Sequence, residues 1–195
     1  RNDGIYNRYT GRKIAAIVPV HVFGIPCKIK QICEIAIKWN LPVIEDAAEA
    51  LGSFSEKKHC GLFGISGIFS FNGNKIITTG GGGMIITDDK YIAEKARHLA
   101  TTAKISHEWE FEHDSIGWND RMPNINAALG CAQIKDLNKK IVKKRGLNEK
   151  YQSRINIKDV AIIMDVKESD NWNHWLTNIK IVCTDSNKAS DLKKM

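Results

Sequence analysis

Two apolar segments separated by an amphipathic helix constrain the fold of this chain more than any other feature. Residues 14–20 are apolar enough for a strand, and apolar side chains recur at helical spacing through residues 29–37. Residues 41–45 contain a second short apolar run. A strand, a helix and a second strand of these lengths are typical of a βαβ unit with parallel strands. The sequence therefore predicts an α/β domain.

The alternation of strands and helices continues downstream. Two more strands are predicted at residues 66–71 and 83–87, and three more helices at residues 91–102, 124–137 and 139–155. Asp88 and Asp89 are suited to cap the first of these helices. Residues 104–121 lose the pattern and are predicted to form a long loop, which in compact domains is usually functional or disordered.

Near residue 152 the sequence pattern changes from helical to strand-like, which indicates a second domain. Strand-like segments at residues 160–164 and 178–183 flank Trp172 and Trp175. We expect a large domain in residues 1–151 and the start of a smaller α+β domain in residues 152–195. Because residue 1 is Arg and a helix is expected to begin near the last residues, we expect an internal piece of a longer protein, with both domains incomplete.

Two ionisable residues follow predicted strands at positions suited to chemistry. Asp46 lies at the carboxyl end of a buried strand, where open α/β sheets bind their ligands. Lys75 lies between a strand-like segment and four glycines at residues 80–83. A pyridoxal phosphate enzyme needs a lysine that can form an imine and an acid that can pair with a ring nitrogen. Each residue alone has a plainer interpretation, since Asp46 could cap a helix and Lys75 could be a solvated surface lysine.

Together with their surroundings, these residues resemble the DegT/StrS-type sugar-nucleotide aminotransferases. The resemblance spans about residues 12–185 and is carried by motifs at residues 19–24, 45–49, 69–71, 75, 82–84, 119–122 and 126–128. Residues 71–79 are most similar to the branch that aminates 4-keto sugars on the way to bacillosamine and legionaminic acid. The resemblance implies a three-layer α/β large domain of the fold type I of pyridoxal phosphate-dependent transferases, with a mainly parallel sheet.

The resemblance also implies roles for five residues around the cofactor pyridoxal 5'-phosphate. Lys75 would bind the cofactor covalently and move the proton between the substrate Cα and a carbon of the cofactor, and Asp46 would pair with the ring nitrogen. Ser70 would bind the phosphate, and Glu49 would lie near the ring hydroxyl, where many relatives have Gln. Asn119 would reach the phosphate in a neighbouring subunit, which implies a homodimer with a shared site. From the residues alone, Ser70 could equally be a cap and Asn119 a turn residue.

The implied activity is transfer of an amino group from glutamate to a keto group, at C4, of a nucleotide-linked deoxy sugar with UDP as carrier. A related dehydratase with the same fold and cofactor is one alternative, although those relatives have His where this chain has Lys75. A non-catalytic, cofactor-binding or regulatory fragment is another alternative. The sugar and the product stereochemistry stay open at this point.

The net charge of +7 suits an anionic ligand, either a nucleotide sugar or a nucleic acid. Most of the lysines are scattered, so solvated surface is the favoured interpretation and no nucleic-acid partner is expected. The five cysteines form no Cys-x-x-Cys pair, which favours a reduced cytoplasmic setting, and no membrane span is expected. The spacing of His107 and His113 matches no common metal-ligand pattern, so no metal is expected.

Overall fold

The computed structural model describes residues 4–154, 161–163, 170–181 and 190. Within these ranges the helices are α1 (Ile29–Lys38), α2 (Lys90–Ala100), α3 (Asn124–Ile134) and α4 (Leu137–Arg154). The strands are β1 (Ile44–Asp46), β2 (Phe54–Ser55), β3 (Lys58–His59), β4 (Ser66–Ser70), β5 (Gly83–Ile86), β6 (Ala161–Ile163), β7 (Asp170–Asn171) and β8 (Ile179–Ile181). A 3-10 turn spans Val22–Gly24.

The sheet that carries the predicted functional residues has the order β1, β4, β5. Strands β1 and β4 are parallel, with Asp46 opposite Ile68, whereas β5 runs antiparallel to β4. The prediction of parallel pairing is therefore confirmed for β1 and β4. Because parallel strands point the same way, the residues that end β1 and β4 lie at the same edge of the sheet.

The predicted strand at residues 14–20 was too long and needs correction. This segment contributes only single parallel bridges, from Ile17 to Val43 and from Val20 to Asp46. Pro19 has no backbone N–H, so it cannot donate to a ladder, although its carbonyl accepts from the Asp46 N–H at 2.9 Å. The 3-10 turn then begins at Val22. The segment lies beside β1 without forming a regular strand.

The four helices and strands β1, β4, β5, β6 and β8 lie within a few residues of their predicted positions, whereas the short strands β2, β3 and β7 were not predicted. Asp89 caps α2 by accepting a hydrogen bond from the Ile92 N–H at 3.1 Å, as the sequence predicts. Strands β6 and β8, within the segments predicted as strands, pair antiparallel, and residues 160, 164, 182 and 183 of those segments lie outside the described ranges. The domain boundary near residue 152 stays a prediction. Among the described residues, no helix is both long and apolar enough to span a bilayer.

Burial of apolar neighbours anchors the two segments that bear Ser70 and Lys75. Ser70 lies between Phe69 and Phe71, which are both buried, and Lys75 precedes the buried Ile76 and Ile77. One core cluster consists of Ala47, Ala50, Cys60, Phe69, Phe71 and Ile77. A second cluster, Ile29, Ala36 and Val43, packs α1 on the sheet, and a third joins Ile76 to Ile141 and Trp175.

Candidate active site

Lys75 lies in a tight loop at residues 71–79, the Lys75 excursion, which begins directly after β4 and returns to its end. The Lys75 N–H donates to the Asn72 carbonyl at 3.0 Å, and the Thr79 N–H donates back to Phe71 at 2.9 Å. Helix α3 supports this excursion through Gln133, whose amide donates to the Thr78 carbonyl at 2.8 Å. The Lys75 side chain is only 13% exposed. Lysine is rarely buried without a partner, so its contacts indicate a specific role.

Glu49 is the acidic partner of Lys75. One carboxylate oxygen lies 3.4 Å from the lysine Nζ, and the other accepts a hydrogen bond from the Phe23 N–H at 2.6 Å. Phe23 has a φ of 59°, which is unusual for a residue other than glycine, and its bond to Glu49 helps to hold this conformation. The Glu49 carboxylate therefore has two donors, the Phe23 N–H and the Lys75 amine.

Asp46 and Ser70 lie at the shared carboxyl edge of β1 and β4. Asp46 ends β1 and is half-buried, and its Oδ1 accepts a hydrogen bond from the Ala48 N–H at 3.1 Å. Ser70 ends β4, and its Oγ accepts from the Asn72 N–H at 3.3 Å. The fold thus brings Asp46, Ser70 and the start of the Lys75 excursion to one edge.

Asn119 occupies a different region of the chain, next to the end of α2. Its backbone forms an antiparallel bridge with Thr101, and the residue is exposed. A side chain that reaches another subunit must be exposed, so this placement is compatible with the predicted role, which stays a prediction. In the part of the chain that the structure describes, no group of three or more potential metal-binding side chains is present.

A buried His21–Glu45 pair lies directly behind the edge. Nε2 of His21 is 3.0 Å from Oε2 of Glu45, and both side chains are fully buried. The Cys27 N–H donates to Nδ1 of His21 at 3.2 Å, so the ring donates through Nε2. His21 is therefore a packed core histidine, and sequence reasoning did not identify Glu45 as its partner. A carboxylate inside an otherwise apolar strand was the available signal.

Backbone amides also surround the Glu45 carboxylate. Gly61, Phe63 and Gly64 donate to it at 2.8, 2.5 and 2.8 Å. Burial alone would raise the pKa of Glu45, but hydrogen bonds from His21 and the glycine amides outweigh it and lower the pKa. Glu45 is therefore held as an anion that ties β1 to the turn at residues 61–64.

Trp175 is a second residue that sequence reasoning did not assign to the site. Its ring centroid lies 4.2 Å from the Lys75 Nζ, a distance typical of a cation–π contact, and its Nε1–H donates to the Asn74 carbonyl at 2.7 Å. The side chain is buried. No local pattern could have revealed this contact, because it joins residues that are distant in the chain.

The residues at this edge fit a pyridoxal phosphate group by their chemistry. A shielded amine, a carboxylate at a strand end and a hydroxyl at the neighbouring strand end are supplied by Lys75, Asp46 and Ser70. These match the covalent anchor, the ring-nitrogen partner and a phosphate ligand that such a group requires. Glu49, already bonded to two donors, would adjoin the anchor.

Residues 5–195 match the profile of the DegT/DnrJ/EryC1/StrS aminotransferase family. GDP-perosamine synthase of Escherichia coli O157:H7 is 39% identical over 181 residues, which are 93% of this chain and 48% of that protein. EpsN of Bacillus subtilis (strain 168), to which a pyridoxal phosphate-dependent aminotransferase activity is ascribed, is 39% identical over 166 residues, 85% of this chain and 42% of its own length. The chain spans about half the length of these curated relatives.

Solved structures show the same fold. PseC of Helicobacter pylori, an aminotransferase involved in the biosynthesis of pseudaminic acid, superposes with a TM-score of 0.82 at 26% identity, covering 95% of this chain and 49% of PseC. The aminotransferase TlmJ of Streptoalloteichus hindustanus superposes with a TM-score of 0.86 at 26% identity, covering 94% of this chain and 50% of TlmJ. The expected α/β fold of pyridoxal phosphate-dependent transferases is confirmed. This chain therefore belongs to the DegT/DnrJ/EryC1/StrS aminotransferase family.

Proposed function

We propose that the protein containing this chain is a pyridoxal phosphate-dependent aminotransferase that transfers an amino group to a keto group of a nucleotide-linked sugar. The observation that carries the proposal is the shielded Lys75 amine, 3.4 Å from Glu49, in an excursion that starts from the sheet edge of Asp46 and Ser70. The sequence motifs of this chain and its membership of the aminotransferase family support the same chemistry. When bound, the cofactor would supply an electron sink that makes a proton next to the amino group removable.

The residues of this chain would hold the cofactor and move that proton. Lys75 would anchor the cofactor and, once released, carry the proton at its Nζ. Asp46 would stay ionised and keep a proton on the ring nitrogen through a charge-assisted hydrogen bond. Ser70 would donate its hydroxyl to the phosphate. The burial of Phe69 and Phe71 on either side of Ser70 keeps that hydroxyl at the strand end.

The finer assignment includes glutamate as donor, C4 as the aminated position and UDP as carrier, in bacillosamine or nonulosonic acid biosynthesis. The similarity of residues 71–79 to the 4-keto-sugar branch supports C4. The 39% identity with GDP-perosamine synthase makes GDP the competing carrier. Assays with UDP-linked and GDP-linked 4-keto sugars, each with glutamate, separate the two carriers.

A homodimer with a shared site is part of the proposal. Large apolar side chains of the loop at residues 104–121 and of α3 are strongly exposed, with exposed fractions of 82% for Trp109, 79% for Phe111, 85% for Ile116 and 82% for Ile125. Exposed apolar residues in this number mark surfaces that a partner covers. A second copy would cover them and bring Asn119 to the other site. A cytoplasmic location is also part of the proposal, because the spacing of the five cysteines favours a reduced setting.

The test uses the full-length protein that contains this chain, beside its Lys75→Ala variant. Pyridoxal phosphate is added, the visible absorption band is recorded, and borohydride reduction with peptide mapping locates the adduct. Lys104→Ala is a matched control, because Lys104 also lies over an aromatic ring, 3.9 Å from the centroid of Phe111, but outside the site. We expect the adduct at Lys75 in the parent and the control, and bleaching of the band by glutamate.

Two other results would overturn the proposal. Absence of a Lys75 adduct in the full-length protein would favour a non-catalytic member of the family. An adduct with no amino transfer, but with loss of a sugar hydroxyl, would favour the dehydratase alternative.

A further inference from the structure

Lys75 has two contacts at its amine that belong to different parts of the chain. The Glu49 carboxylate lies 3.4 Å from Nζ on one side, and the Trp175 ring centroid lies 4.2 Å from Nζ. A carboxylate and an indole face both attract a cation. The Lys75 amine is thus held by two groups, and its side chain is 13% exposed.

Asn173 ties these two groups to each other. Its Nδ2 donates to the Glu49 carbonyl at 2.7 Å and to the Leu51 carbonyl at 3.0 Å, and its Oδ1 accepts from the Trp175 N–H at 2.9 Å. Asn173 is fully buried. Because the Asn173 side chain is buried, a displacement of either segment would leave its amide with unpaired polar atoms.

Two more bonds fix the position of Trp175. Its Nε1–H binds the carbonyl of Asn74, the residue before Lys75, at 2.7 Å, and its own carbonyl accepts from the Lys144 Nζ at 3.1 Å. Trp175 therefore contacts both the amine of Lys75 and the backbone that carries it. Strand β7, just before this segment, pairs with β2 and holds the segment against residues 54–55.

We propose that Glu49, Asn173 and Trp175 form a resting site for the free amine of Lys75, with Asn173 and Trp175 as positioning residues. The proposal rests on the proposed function, in which Lys75 is alternately bound and released. A lysine with four flexible bonds would otherwise sample many conformations when it is free. The resting site would keep its Nζ near the position from which it acts.

The test compares two buried tryptophans of the same segment in the full-length, cofactor-free protein. Trp172 is buried as deeply as Trp175, and its Nε1 has no hydrogen-bond partner among the described residues. Trp172→Phe and Trp172→Leu are therefore matched controls for Trp175→Phe and Trp175→Leu. The readout is the rate of acetylation of Lys75 by acetic anhydride, measured by mass spectrometry and normalised to the rate at Lys104 in the same sample.

We expect Trp175→Leu to raise the normalised Lys75 rate by about three-fold to thirty-fold, the range that corresponds to loss of one cation–π contact. Trp175→Phe keeps a ring but loses the bond to Asn74, so we expect a smaller rise together with faster amide hydrogen exchange in residues 73–77. Neither Trp172 variant should change either quantity. The Phe variants preserve the test where a Leu variant does not fold.

Equal Lys75 rates in the Trp175 and Trp172 variants would overturn the resting site. Steady-state kinetics add a second criterion. Loss of the resting site should lower kcat at unchanged KM in the Trp175 variants only, whereas a general packing defect should change the kinetics of the Trp175 and Trp172 variants alike. A failure of the proposed function is distinguishable, because it would appear as the absence of a cofactor adduct at Lys75 in the unmodified protein, whatever the acetylation rates are.

Discussion

Nε2 of His21 lies 3.0 Å from Oε2 of Glu45, and neither side chain is exposed to solvent. Glu45 precedes Asp46 in β1, and the Asp46 carbonyl accepts from the His21 N–H at 3.1 Å. The segment that supplies His21 is thus bonded to β1 both through a side chain and through the backbone. The buried pair fixes the end of the strand from which Asp46 projects.

Removal of the Glu45 carboxylate should be strongly destabilising. Glu45→Ala leaves His21 and three backbone N–H groups without their acceptor, and each buried donor left unpaired costs about 1–3 kcal/mol. Glu45→Gln keeps one acceptor oxygen and should cost less. Urea unfolding of the full-length protein measures both values, and an Ala variant as stable as the parent would contradict the structural role of the pair.

The Glu45 carboxylate should also make stability fall in acid. Its pKa is lowered in the folded state, so the unfolded state binds the proton more tightly. The stabilisation is fully present above the unfolded pKa of about 4.3 and is lost as the pH falls through the folded pKa. The difference in unfolding free energy between the parent and Glu45→Gln should therefore shrink below about pH 4. A difference that stays constant from pH 7 to acid would contradict the assignment.

Glu49 should contribute to stability through the Phe23 N–H as well as through Lys75. Glu49→Ala removes an acceptor that lies 2.6 Å from this N–H, and a hydrogen bond to a charged group contributes about 1.5–3 kcal/mol. Glu49→Gln retains an acceptor and should lose less. Denaturant midpoints of the two variants and the parent provide the measurement, and equal losses would show that the charge next to Lys75, not the bond to Phe23, dominates.

Two glycine-to-alanine substitutions should change the stability of the protein in opposite directions. Gly61 has a φ of 92°, and an added Cβ would lie 2.7 Å from Cζ of the buried Phe69, so Gly61→Ala should destabilise by at least about 1 kcal/mol. Gly146 lies within α4, and an added Cβ would meet no atom within 4 Å. Gly146→Ala should stabilise by about 0.5–1 kcal/mol. Thermal unfolding of both variants is sufficient, and two changes of the same sign would contradict the local geometry.

Asp46→Asn should lower activity without unfolding the protein. The amide preserves the shape of the side chain and the acceptor for the Ala48 N–H, but loses the charge that would hold the ring-nitrogen proton. A hydrogen bond to a charged group is worth about 1.5–3 kcal/mol, which corresponds to a loss in kcat of about ten-fold to hundred-fold. Kinetics of amino transfer test this, with circular dichroism as the check on folding. An unchanged kcat would remove Asp46 from the proposed site.

Periodicity was sufficient to place the helices and several strands of this chain. Helix α1 spans Ile29–Lys38, and its apolar positions were visible at helical spacing. The same reasoning overestimated the strand at residues 14–20, because apolar character does not reveal whether backbone partners are available on both sides. Proline at residue 19 was the local signal against a regular strand.

The amino-acid sequence by itself determined the fold class, the candidate cofactor residues and the family, because hydrophobic spacing and short motifs are local properties. Only the tertiary structure decided that His21 binds Glu45. It also decided that the Trp175 ring contacts the Lys75 amine and that Asn173 binds the carbonyl of Glu49. Such contacts join segments far apart in the chain. They depend on which buried polar groups lack another partner once the core has formed, and that is a property of packing.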